Sequence, residues 1–132
     1  MDSAKLVSNT TKEESRMQHR QGCPVQATID VLSGKWKVQI LWHLSFGELR
    51  FSQLRKTLKT VSEKVLADQL RQLEADGVIA RQSSGSIPPA VTYSLNEQGR
   101  KLVVLMESLC DWGSTHFGIA PSLPRRLARA AG

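Results

Sequence analysis

Between Arg50 and Lys64 the chain sets five basic side chains, Arg50, Arg55, Lys56, Lys59 and Lys64, against one acid, Glu63. A local surplus of four positive charges attracts polyanions, and the phosphate backbone of nucleic acid is the leading one, because each neutralised phosphate releases condensed counterions. The cluster supplies much of the net charge of +6, from 18 Lys and Arg against 12 Asp and Glu in 132 residues. An anionic membrane surface is the other polyanion to weigh. It fits less well, because these cations do not lie along an apolar-faced surface helix.

The thiols and imidazoles offer a second kind of chemistry. Cys23 stands directly before Pro24, and a proline of this kind suits the first turn of a helix, whose positive end favours a nucleophilic thiolate. Cys110 falls on the apolar side of a later helix and reads as core or subunit seam. His19 and Cys23 are four residues apart, and Cys110 and His116 add further soft ligands, yet no compact four-ligand set emerges, so neither metal nor cofactor is expected. His43, between Trp42 and Leu44, reads as a semi-buried histidine. No nucleophile–base order, glycine-rich phosphate loop or paired carboxylates appears, and the chain is read as no enzyme.

The elements that must position the basic cluster are legible from periodicity. One helix runs from Pro24 with Val25, Ile29 and Leu32 as its apolar stripe and ends at Gly34; a second starts near Lys35 or Trp36 and buries Trp36, Ile40, Leu41 and Leu44. A brief extended piece, Glu48–Phe51, precedes a third helix, capped by Ser52, with Leu54 and Leu58 inward and Arg55, Lys56 and Lys59 outward. The fourth helix has Thr60 with Glu63 at capping-box spacing and Ser62 as the competing cap, a stripe of Val65, Leu66, Leu70 and Leu73, and Gly77 as its stop. Val78–Arg81 and Ala90–Leu95 read as strands flanking a Ser/Gly/Pro loop, and Asn96 caps a long terminal helix. That last helix carries Leu102, Leu105, Met106, Leu109, Trp112 and Phe117 at helical spacing. A domain of this size has too little core to cover them all, so Leu105, Leu109 and Trp112 are expected to bury against a second subunit.

The fold class is therefore α+β, mainly helical: a winged helix-turn-helix with a long C-terminal dimerisation helix. Residues 1–21 read as a flexible polar arm, 22–118 as the single domain with 96–117 as its dimerisation helix, and 119–132 as a flexible tail bearing Arg125, Arg126 and Arg129. No stretch has the roughly 20 apolar residues of a membrane-spanning helix, the N-terminus lacks a signal-peptide core, and two cysteines suit a reducing cytoplasm.

Cys23-Pro24, Gly34-Lys35-Trp36, Phe51-Ser52-Gln53-Leu54, Ser62-Glu63-Lys64-Val65-Leu66, the run Leu70–Gly77, Ile87–Leu95 and Gly99, in this order and spacing, resemble the HxlR-type regulators of the MarR-like superfamily over about residues 22–117. The resemblance implies a homodimeric, bacterial, DNA-binding repressor or activator whose fourth helix reads DNA and whose terminal and N-terminal helices make the dimer. Carried over by position, it assigns Ser62, Glu63, Lys64, Ala67, Asp68 and Arg71 to the recognition face, Arg50, Ser52, Gln53 and Lys56 to the flanking helix, and Arg81 to the wing. Lys64, in the first turn, can donate to guanine or phosphate, and Arg71 to a phosphate or flanking base; a solvated helix face with a Lys64–Asp68 pair is the plainer alternative. Val25, Leu102, Leu105, Met106, Leu109 and Trp112 are assigned to the dimer interface. Some family members use the cysteine at the position of Cys23 to sense oxidants or electrophiles, so an oxidant or small-molecule effector is a further expected partner. The wing departs from the family pattern, with Ser84 and Ala90 where an aromatic and a basic residue are usual. Two alternatives from other classes are a winged helix that binds protein instead of DNA and a thiol redox enzyme centred on Cys23.

Overall fold

A computed structural model describes residues 22–121, so the expectations for the N-terminal arm and for 122–132 of the tail lie outside the described residues. Among these, five helices and three short strands follow one another as α1 (Pro24–Leu32), α2 (Lys37–Leu44), β1 (Leu49–Arg50), α3 (Phe51–Leu58), α4 (Glu63–Ala75), β2 (Ile79–Ser83), β3 (Val91–Leu95) and α5 (Glu97–Phe117). The strands form one antiparallel sheet in the order β1-β3-β2. The expected α+β, mainly helical winged architecture is therefore present.

Several boundaries differ from the sequence reading, each for a local reason. Trp36 is the N-cap of α2 and turns its indole into the core, so the helix starts at Lys37. Ser52 does not cap α3; Arg50 holds the cap position, and the Gln53 side chain accepts from the Arg50 N–H at 2.9 Å. Ser62, not Thr60, caps α4 by accepting from the Val65 N–H at 3.1 Å. β2 runs two residues beyond Arg81 because Gln82 and Ser83 pair with Thr92 and Val91, a backbone ladder indifferent to their polarity. In α1 the expected stripe is rotated: Val31 is buried, Leu32 is half-buried, and Val25 and Ile29 are exposed.

The core joins Ile40, Leu41 and Trp42 of α2, Leu54 of α3, Leu66, Leu70 and Leu73 of α4, Tyr93 and Leu95 of β3, and Leu102, Val103 and Met106 of α5. Each such side chain contributes about 2 kcal/mol by leaving water. Lys37 is buried with them at 1% exposure, and its Nζ donates to Gln72 Oε1 at 2.5 Å, tying α2 to α4. Nothing in the pattern marks this lysine, since lysines are rarely fully buried unless paired.

α4 ends in a paired-bond cap, with the Gly77 N–H on Glu74 O and the Val78 N–H on Leu73 O, and Gly77 at φ +79° takes the left-handed position. Asn96 grips this corner from the other side. Its Nδ2 donates to Gly77 O at 2.8 Å, its backbone N–H to Val78 O at 3.3 Å, and its Oδ1 accepts from the Gly99 N–H at 2.9 Å. Gly99 lies so close that a Cβ there would overlap the Val78 carbonyl oxygen and touch Leu95 Cδ2. Gly99→Ala is therefore expected to cost about 3 kcal/mol of stability, the scale of overpacking against backbone that cannot yield. Urea unfolding of the two proteins checks the value.

Candidate nucleic-acid interface

The fourth helix projects the expected face. Its inward stripe is Leu66, Leu70 and Leu73; Ser62, Glu63, Lys64, Asp68 and Arg71 are exposed and Ala67 is half-buried. Val65, placed on the apolar stripe by sequence, is instead exposed beside this face. The Lys64–Asp68 pair of the plainer alternative is not formed: Asp68 accepts from Arg71 Nη1 at 2.7 Å. Among the described residues Lys64 has no ion-pair partner. Its ammonium is thus available in the first turn of α4, where side chains of a helix-turn-helix reach base edges.

Ser52, Lys56 and Glu63 are brought together with Arg55, Lys59 and Phe51 around an open cleft of about 340 Å³ between α3 and the start of α4. Arg55 and Lys59, read from the sequence as part of the basic cluster, are additions to the set carried over by family resemblance. The signal was available, because Ser52, Arg55, Lys56 and Lys59 follow the i, i+3, i+4, i+7 spacing of one helix face. Arg55 Nη1 reaches Glu63 Oε1 at 2.9 Å, joining α3 to α4 across the cleft. Lys59 closes α3 at φ +65°, a left-handed backbone that L side chains rarely adopt. Arg50 is exposed at the end of β1, while Gln53 spends its amide oxygen on capping α3.

The wing is closed by Ser84, whose N–H donates to Ala90 O at 2.8 Å and whose Oγ accepts from the Ala90 N–H at 2.9 Å. From Gln82 to Leu95 the hairpin carries no charge. Its cation is Arg81, exposed on β2 opposite Tyr93 in the pairing register.

At the far side, α5 separates two apolar faces. Leu102 and Met106, assigned by sequence to the interface, are 6% and 3% exposed and belong to the chain's own core. Leu105, Leu109 and Trp112 are exposed, as is Val25 on α1. Trp112 stacks on His116 with ring centroids 4.7 Å apart, and Phe117 packs edge-on against both. Cys23 is an exposed free thiol at the N-cap of α1, and Cys110 is a half-buried one on α5. His43 is half-buried on α2, and its burial lowers its pKa, favouring the neutral imidazole. Among the described residues, no cluster of three or more His, Cys, Asp or Glu is arranged to hold a metal ion, and no helix is long and apolar enough to cross a membrane.

Helices α2 to α4 followed by the β2–β3 hairpin define a winged helix-turn-helix module. Residues 31–120 match the family model described as HxlR-like helix-turn-helix, and the chain belongs to that family of transcriptional regulators. It is 47% identical over 93 residues to the HTH-type transcriptional regulator YtcD of Bacillus subtilis strain 168, covering 70% of this chain and 74% of that one. The crystal structure of an HTH-type regulator ytcD matches with a TM-score of 0.66 at 45% identity, over 71% of this chain and 96% of that one. The redox regulator HypR in its oxidised form matches at 0.64 and 40% identity, over 70% and 96% of the two chains. A MarR-family regulator from Enterococcus faecalis V583 matches at 0.68 and 34%, over 72% and 86%.

Proposed function

We propose that this helix-turn-helix regulator binds duplex DNA as a homodimer and represses transcription by occupying a palindromic operator. The observation that carries the reading is the exposed polar face of α4 beside the basic cleft of α3. Two such helices, one per subunit, enter successive major grooves about 34 Å apart. Lys64 and Arg71 supply base-edge or phosphate contacts, and Arg50, Ser52, Lys56 and Arg81 position the subunit on the backbone. With Lys64→Ala or Arg71→Ala, operator fragments selected from genomic DNA are expected to bind about 10-fold or more weakly, the scale of one good base contact, while fold and oligomeric state are unchanged. Fluorescence anisotropy reads the affinity, and unchanged binding in both variants rejects the assignment. An apolar protein-binding role for the module predicts affinity that does not fall steeply with salt.

In this reading the second subunit packs on the exposed apolar side of α5. Leu105, Leu109 and Trp112 lie at i, i+4, i+7 spacing, with Trp112 63% exposed, and Val25 of α1 is also exposed. Such a row resembles half of a helix–helix seam. Leu109→Glu combined with Trp112→Ala is expected to shift the protein from dimer to monomer in sedimentation equilibrium, with the helical signal retained.

A redox-responsive reading is favoured by one specific observation: Cys23 is exposed at a helix N-cap in a chain 40% identical to a redox regulator. Diamide is expected to change the DNA affinity of the wild type and leave Cys23→Ser unaffected in the same anisotropy assay. A redox enzyme centred on this thiol would instead turn over peroxide with a thiol reductant.

A further inference from the structure

The cleft between α3 and α4 contains an unusual arrangement of charge. Three cations, Arg55, Lys56 and Lys59, line it together with the Ser52 hydroxyl, and a single carboxylate, Glu63, stands among them. Glu63 accepts from Arg55 Nη1 at 2.9 Å. Both partners are largely exposed, so the pair is held by a contact that solvent and competing anions can break. The turn that brings Lys59 to the same cleft has φ +65°, a strained backbone for a residue with a side chain. Such strain persists where the position of the residue matters.

A carboxylate and a phosphate diester present the same chemistry to a guanidinium: paired acceptor oxygens carrying negative charge. We propose that this cleft is a seat for one backbone phosphate of duplex DNA, and that Glu63 fills it as an internal stand-in until DNA displaces it. The inference rests on the DNA-binding reading above and adds a regulator of its strength. With Arg55 already paired and the seat's charge reduced by one, any duplex must first displace Glu63 from Arg55. Binding of arbitrary sequence is thereby weakened, while an operator that also supplies base contacts to α4 overcomes the same competition. Glu63 is in this account a residue that sets specificity by suppressing the non-specific term, in contrast to one that reads a cytosine edge directly.

The test uses the full chain and a labelled duplex of mixed sequence, in which no base readout can contribute. Glu63→Gln is expected to bind that duplex about three- to fivefold more tightly than wild type at low salt, and its log–log salt dependence between about 50 and 200 mM is expected to steepen by about one unit, for one added phosphate contact. Glu63→Asp, which keeps the charge, is expected to behave as wild type. A thermal melt of each variant separates these effects from loss of fold: if Glu63 merely supports the first turn of α4, Glu63→Gln weakens binding at every salt concentration, and the proposal falls. Wild-type binding with an unchanged Glu63→Gln overturns the stand-in while leaving DNA binding intact. Wild type failing to bind any duplex overturns the DNA-binding reading itself and this inference with it. Inorganic phosphate alone, followed by equilibrium dialysis, distinguishes the other source of the same chemistry; saturable binding to Glu63→Gln without DNA would assign the seat to free phosphate and overturn its assignment to the duplex.

Discussion

The corner where α4 ends is the constraint on which the rest of the molecule depends. Gly77 takes a left-handed backbone that lets the α4 carbonyls be capped, and Asn96 then joins that corner to the start of α5 through Gly77 O, Val78 O and the Gly99 N–H. The absence of a side chain at Gly99 is what allows α5 to come down onto the Val78 carbonyl. The helix bearing the polar face and the helix bearing the exposed apolar face therefore meet at one rigid joint. The backbone and side chain of Asn96 bond directly to the Gly77 and Val78 carbonyls, so the start of α5 is tied to the end of α4 without an intervening linker.

The surface divides by chemistry in the same way. Polar and basic side chains gather on α3 and the exposed side of α4, and large apolar ones remain exposed on α1 and the outer side of α5. Core burial enforces the split: once Leu66, Leu70 and Leu73 turn inward, Lys64, Asp68 and Arg71 have no other direction to take. The hairpin, uncharged from Gln82 to Leu95, adds little electrostatic attraction beyond Arg81. Among the described residues, the densest positive charge therefore lies on α3, the start of α4 and the turn between them.

Much of this organisation was visible in the residues. The order of elements, the Asn96 cap, the Gly77 stop and the outward face of α4 followed from spacing and capping chemistry, while the choice between Thr60 and Ser62 as the cap of α4 did not. What spacing could not separate were two apolar stripes on one helix. Leu102, Leu105, Met106 and Leu109 all recur at helical intervals, yet Leu102 and Met106 face the core and Leu105 and Leu109 face outward. In α1 the same ambiguity made one apolar stripe of Val25, Ile29 and Leu32 and passed over Val31, which is the buried residue. A short helix at the edge of a domain has apolar side chains to spare, and only the position of its neighbours says which are covered.

By itself, then, the amino-acid sequence determined the helical and strand segments, their punctuation and the segregation of cations onto one stretch, because these depend on neighbours within a few residues. Tertiary structure alone decided that the carboxylate of α4 joins the cations of α3. Arg55 and Glu63 are eight residues apart on different helices, and their 2.9 Å contact exists because Lys59 turns the chain between them. It also decided the burial of Lys37, whose ammonium is held by Gln72, 35 residues away. Charge pairing acts through space over a few ångströms, so its partners are fixed by how the helices pack, and the linear order of residues carries that information only through the fold.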